Sequence, residues 1–321
     1  VTKAYIRKNE VFADAFNYFM YDGRQKIQPE QLRELDSTEI AILLNEKDTK
    51  DKTNKEKEAS EQKMVQKYRD LLKTATIMED GEATYVLLGI ENQTEVHYAM
   101  PVRNMLYDAM QYNQQVTEIA EKHKGKKGGK RQQKISTGEF LSGFYKNNKL
   151  IPVITLVLFF NPGEWDGPRS LFDMLDISNP IFKKYAQDYK IHIISPKEIL
   201  ESDLKKFSSS LREVIGCIKY SNDKNKLAAF IQDNPRMNME VEAARVIEVI
   251  THTHIKREEV DDMGNVNMCK AIQEMIQDGR DEGRVQLLVT LIQSGDISLQ
   301  RAAALMNMTP EEFQEKSKMI S

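Results

Sequence analysis

Asp70 and Glu91 bound one stretch, DLLKTATIMEDGEATYVLLGIE, in which two apolar runs flank EDGE. Asp80-Gly81 favours a type I′ hairpin turn, because both central positions of that turn need positive φ. With a two-residue loop, Glu79 pairs with Glu82, each cross-strand pair of residue numbers adds to 161, and Asp70 stands opposite Glu91. Opposed residues share a face, with Cβ atoms about 4.5–5.5 Å apart. Alternation adds Gly89 and Gln93 to the face of Glu91 and turns Leu88 and Ile90 away. Gly89, opposite Leu72, leaves room beside the carboxylates. Two carboxylates at the ends of neighbouring buried strands are costly unless protonated, solvated or neutralised by a cation. An oxygen-lined pair suits Mg²⁺ or Mn²⁺, held by Asp70 and Glu91. Such an ion polarises a phosphodiester and activates water, which Gln93 could orient.

The elements that must position these residues are legible around them. NEVFADAFNYFM places Val11, Phe12, Ala15, Phe16 and Phe19 at helical spacing from Asn9 to Met20, with Asn9 available as a cap. Glu10 and Asp14 lie one turn apart on that helix. STEIAIL reads as a short strand, and residues 45–63 as a charged, solvated insertion. A helix from about Pro101 to Lys122 carries Arg103, Tyr107 and Gln114 as one stripe, with Gln115 as the neighbouring alternative. The stripe reads either as a phosphate-contacting face, with Arg103 able to meet a phosphate bidentately, or as a polar face capping the sheet. IPVITLVLFF is a buried strand, Trp165 anchors the loop NPGEWDGP, and YKIHIIS is a further strand. An α/β unit therefore spans residues 1–200. Residues 201–321 read as an all-α region ending in a helix-turn-helix-like pair, with Thr309 capping the last helix. That region offers a surface for homo-oligomer formation.

Bulk properties restrict the function classes. The net charge of -3 excludes a polycation that binds nucleic acid by bulk charge, so any DNA contact must be local. The basic loop 122–134 supplies one candidate, with Lys124, Lys126, Lys127, Lys130 and Arg131 interspersed with glycine. Cys217 and Cys269 lack ligand-type spacing, which predicts neither disulfide nor zinc. The sequence opens without a basic-then-apolar leader, and the ten-residue run Ile151–Phe160 is too short to cross a bilayer. Together these predict a cytoplasmic protein without membrane contact. His252 and His254 read as surface or packing residues, and the Gly279 and Gly283 pair, which follows no strand, does not read as a phosphate loop.

A helix with an acidic residue, a hairpin carrying Asp and then Glu-x-Gln, a flanking helix and another strand together resemble the PD-(D/E)XK nuclease fold. More closely, RDLL, GIENQ and MPVRNMLYDAMQY resemble the Rpn recombination-promoting nucleases, a family described as YhgA-like putative transposases. The likeness covers roughly residues 5–200, through FADAFNYF and LIPVITLVLFF. It implies a mixed sheet flanked by helices, a Mg²⁺- or Mn²⁺-dependent DNA endonuclease, and Asp70, Glu91 and Gln93 as metal and catalytic positions. It also implies an acid from the first helix, Glu10 or Asp14. Gln93 stands where the wider fold has lysine, and an amide cannot act as a cationic stabiliser. The alternative expectation is therefore a non-cleaving DNA-binding or assembly protein of a mobile element.

Overall fold

The hairpin at residues 71–93 is the centre around which the first unit is built. A computed structural model describes residues 1–35, 70–79, 82–125, 135–232, 234–251, 261 and 264–320. STEIAIL, the insertion 45–63, the Asp80-Gly81 turn, His252 and His254 lie outside these residues, as does the basic loop beyond residue 125. The chain forms two units, Val1–Lys224 and Asn225–Ser321.

In the first unit, helices α1 (Thr2–Ile6) and α2 (Asn9–Tyr21) precede strands β1 (Arg33–Glu34), β2 (Leu71–Glu79) and β3 (Glu82–Gln93). Helices α3 (Met100–Gly125) and α4 (Thr137–Ser142) lead to β4 (Val153–Phe159), and α5 (Pro180–Lys183) to β5 (His192–Ile194). The five strands form one mixed sheet in the order β1-β2-β3-β4-β5. The β1, β2 and β3 pairings are antiparallel, whereas β3, β4 and β5 run parallel. Parallel neighbours need a crossover, and α3 lies on the one from β3 to β4.

Register follows the spacing of the hairpin: Glu79 pairs with Glu82, Leu72 with Gly89 and Leu71 with Ile90. β3 runs on past Glu91 to Gln93, because Glu91 and Gln93 pair with Val157 and Phe159 of β4. A parallel partner distant in sequence thus keeps IENQ extended. β3 is buried continuously from Val86 to Glu91, as a central strand covered on both faces must be.

Helix α2 buries Val11, Phe12, Ala15 and Phe16, whereas Phe19, the fifth residue at helical spacing, is exposed. Lys8, not Asn9, is its N-cap. Asn9 instead turns inward: its Nδ2 donates to Pro29 O (2.9 Å), and its Oδ1 accepts from Lys73 Nζ (2.6 Å). Lys73 also donates to Arg7 O and lies 4.9 Å from the centre of the Phe12 ring. The α1–α2 corner therefore covers the Lys73 face of the sheet. Alternation makes this the face from which Glu91 points away. On the other face, Tyr112 of α3 packs against Leu72, Leu87 and Val153.

The boundary expected at residue 200 falls at Lys224, because α6 (Leu211–Tyr220) belongs to the first core. Leu211, Val214, Ile215 and Ile218 are buried, and Asp14 of α2 ties down the turn before α6. Helical periodicity identifies α6 but does not say which core its apolar face joins.

In the second unit, after α7 (Lys224–Ile231), the expected all-α pattern is interrupted. β6 (Asn238–Glu240) and β7 (Asn265–Asn267) form an antiparallel pair. Three residues are too few to show strand alternation against helical neighbours. Helices α8 (Val241–Thr251), α9 (Met268–Gln293), α10 (Leu299–Leu305) and α11 (Pro310–Ile320) complete the unit. Ala302, Ala303 and Phe313 pack with Val285 and Leu288, so the final pair closes on α9. Thr309 caps α11, with its Oγ1 accepting from Glu312 N (3.3 Å). Gly279 and Gly283 lie within α9. Among the described residues, no helix is long and apolar enough to cross a membrane.

Candidate functional site

Glu91 is fully buried on β3. Arg103, on the first turns of α3, brings Nη2 to 3.0 Å from Glu91 Oε2. Its guanidinium carbon also lies 5.6 Å from the centre of the Tyr107 ring, one turn further along. Burial opposes the Arg103 charge, but Glu91, Tyr107 and Asp70 together hold its pKa above the ordinary value. Burial and the Glu91 charge raise the Tyr107 hydroxyl, against the lowering effect of Arg103.

Asp70 stands just before β2, one residue beyond the Leu71–Ile90 pair, so the continued register places it at Glu91. Glu91 and, to a smaller extent, Asp70 both raise the pKa of Arg103 and of Tyr107. Backbone N–H of Asn92 donates to Asp70 Oδ2 (2.9 Å), and Lys3 Nζ lies 2.5 Å from Asp70 Oδ1. Asn92 Nδ2 donates to Thr2 Oγ1 (2.6 Å), which docks α1 against the end of the hairpin. Gln93 is half-buried, and its carbonyl accepts from Phe160 N (2.8 Å), fixing its backbone.

Other expected participants stand elsewhere. Asp14 is buried, accepting at Oδ1 from Ser208 N and Oγ and at Oδ2 from Ser209 N and Oγ. An acid anchoring four donors at a loop is a structural tie. Glu10 is exposed on α2, the helix that covers the opposite face. The α3 stripe divides: Arg103 reaches Glu91 with Tyr107 beside it, whereas Gln114 donates to Glu118 Oε1 (3.0 Å). Gln115 exchanges two hydrogen bonds with the backbone of Ile151 and so clamps the entry to β4. Trp165 is buried edge-on to Phe159, with ring centres 5.2 Å apart. Lys124 is exposed in the last turn of α3, while Lys126, Lys127, Lys130 and Arg131 lie outside the described residues.

Lys3, Thr2 and Asn92 form the part of the site that the residue pattern did not point to. The only available signal was Asn92 within ENQ, whose alternation aims it away from Glu91.

The donor chemistry of Asp70 and Glu91 fits a hard divalent ion, which accepts one or two carboxylates and keeps several waters. Each carboxylate has a cation beside it, Lys3 at Asp70 and Arg103 at Glu91, so an ion would have to compete with these pairs. Among the described residues, no group of three or more His, Cys, Asp or Glu gathers. An ion held by two carboxylates would keep waters at its other positions.

No family model matches the chain, and neither a curated protein nor a solved structure matches it.

Proposed function

We propose that the first unit is a metal-dependent DNA endonuclease of the recombination-promoting nuclease type, with a PD-(D/E)XK-like core. The observation that carries this reading is Glu91, fully buried on the central strand, with Asp70 held at the start of β2 by the backbone N–H of Asn92 and half-buried Gln93 two residues beyond Glu91. The element order α2, β1, β2–β3, α3, β4 agrees with what the resemblance implies.

Asp70 and Glu91 would hold Mg²⁺ or Mn²⁺, which when bound supplies a Lewis acid for a phosphodiester oxygen. Asn92 fixes the Asp70 carboxylate through its backbone N–H. The Gln93 carboxamide orients a water by hydrogen bonding, accepting through Oε1 and donating through Nε2. As an amide it carries no charge, so the cationic groups at the site are Arg103 and Lys3. Lys124 at the end of α3, with Lys126, Lys127, Lys130 and Arg131 of the adjoining run, contacts the phosphate backbone, making DNA affinity fall with salt.

Supercoiled plasmid incubated with Mg²⁺ is expected to be nicked by the intact chain and left intact by Asp70→Ala and Glu91→Gln. Undiminished nicking by Asp70→Ala overturns the proposal.

A second reading draws on the same two ion pairs. Each carboxylate already has a side-chain cation beside it, and Gln93 replaces lysine, as in a nuclease fold retained for DNA binding without cleavage. Calorimetry separates the two: salt-sensitive DNA binding with no affinity for Mn²⁺ or Mg²⁺ favours the second.

A further inference from the structure

Lys3 reaches Asp70 from α1, an element remote in sequence from the hairpin. Its side chain is 69% exposed, whereas that of Asp70 is only 8% exposed. The pair therefore joins a largely exposed lysine side chain to a carboxylate that is mostly covered. Asp70 Oδ2 is engaged by the backbone N–H of Asn92, and Oδ1 faces Lys3. A +2 ion bound at Asp70 Oδ1 would lie against the Lys3 ammonium, and like charges at that distance repel. Glu91 differs, because its cation comes from the half-buried Arg103, braced against Tyr107.

We propose that Lys3 is an exchangeable counterion of the Asp70–Glu91 site, the group that an incoming divalent ion displaces. This rests on the metal-site reading above and adds a residue that the reading does not contain. The exchange leaves α1 in place, because the helix is held independently. Tyr5 and Ile6 are buried, Tyr5 OH shares a hydrogen bond with Ser210 Oγ (2.9 Å), and Asn92 Nδ2 donates to Thr2 Oγ1. Removing the Lys3 ammonium should thus free Asp70 Oδ1 without unfolding the corner.

The test is Mn²⁺ binding to the full chain by isothermal titration calorimetry, with circular dichroism as a folding check. Lys3→Ala should bind Mn²⁺ about tenfold more tightly than the unaltered chain, towards the lower end of usual coupling between linked sites. Lys3→Arg, which keeps the charge, should bind as the unaltered chain does. Arg7→Ala removes a positive charge from the same segment, where Arg7 pairs with Glu34, and should change affinity by less than about twofold. If Lys3→Ala and the unaltered chain bind with equal affinity, or the variant binds more weakly, the counterion role is overturned and the metal site stands. An equal gain in Arg7→Ala also overturns it, by showing a general charge effect. If no form binds Mn²⁺, the proposal and the metal-site reading fall together.

Discussion

Arg103→Met would leave Glu91, fully buried, without the guanidinium 3.0 Å away. Breaking a buried ion pair from one side costs about 3–5 kcal/mol, whereas replacing both partners with neutral groups can be close to neutral. Urea denaturation should therefore show Arg103→Met destabilised by ~3 kcal/mol and Glu91→Gln/Arg103→Met recovering most of the loss. If the double variant is no better than the single, the pair is not what makes Arg103 matter. The same residues mark the limits of reading type and spacing. Hairpin arithmetic connects Asp70 to Glu91, but nothing local assigns Arg103 to Glu91 or Lys3 to Asp70. Lys73 is the sharper case: a lysine within the apolar run LLKTATIM, it is buried on the carbonyl of Arg7 and the amide of Asn9. Burial lowers its pKa, and among the described residues the α1–α2 corner supplies its acceptors.

At the scale of the element, α4 has a pH dependence that can be derived. Its N-cap Ser136 and Glu139 form a capping box, in which Glu139 Oε2 accepts from Ser136 N and Oγ. Glu139 Oε1 accepts from Lys146 N (3.0 Å), which fastens the following loop. The Lys146 N–H, then those of Ser136, lower the Glu139 pKa to about 2. A carboxylate depressed on folding contributes stability above its unfolded pKa of about 4.3, and that contribution is lost as pH falls towards 2. Melting curves from pH 5 to pH 2 should therefore show the advantage of the native chain over Glu139→Gln shrinking through this window. A constant difference across it would remove the assignment. Element type followed from pattern where a segment was long, as in α2, β4 and α3. It failed for β6 and β7, whose three residues each are set by their partner across the ladder.

For the whole molecule, the position of α6 decides where the first unit ends. Its buried face and the Asp14 tie to Ser208 and Ser209 place residues 201–220 in the Val1–Lys224 core. A fragment ending at residue 224 should unfold cooperatively in urea, whereas one ending at residue 200 should expose apolar core and lose cooperativity. Equal behaviour of the two would return the boundary to residue 200. The chain alone determined the α/β order and the hairpin register, because turn chemistry and side-chain alternation act over a few residues. Only the tertiary structure decided that β3 runs on to Gln93, that Asp14 anchors a loop, and that Arg103 and Lys3 stand beside the two carboxylates. Each of these depends on a partner tens of residues or more than a hundred away in sequence or contributed by another element, brought near only when the sheet and its helices pack.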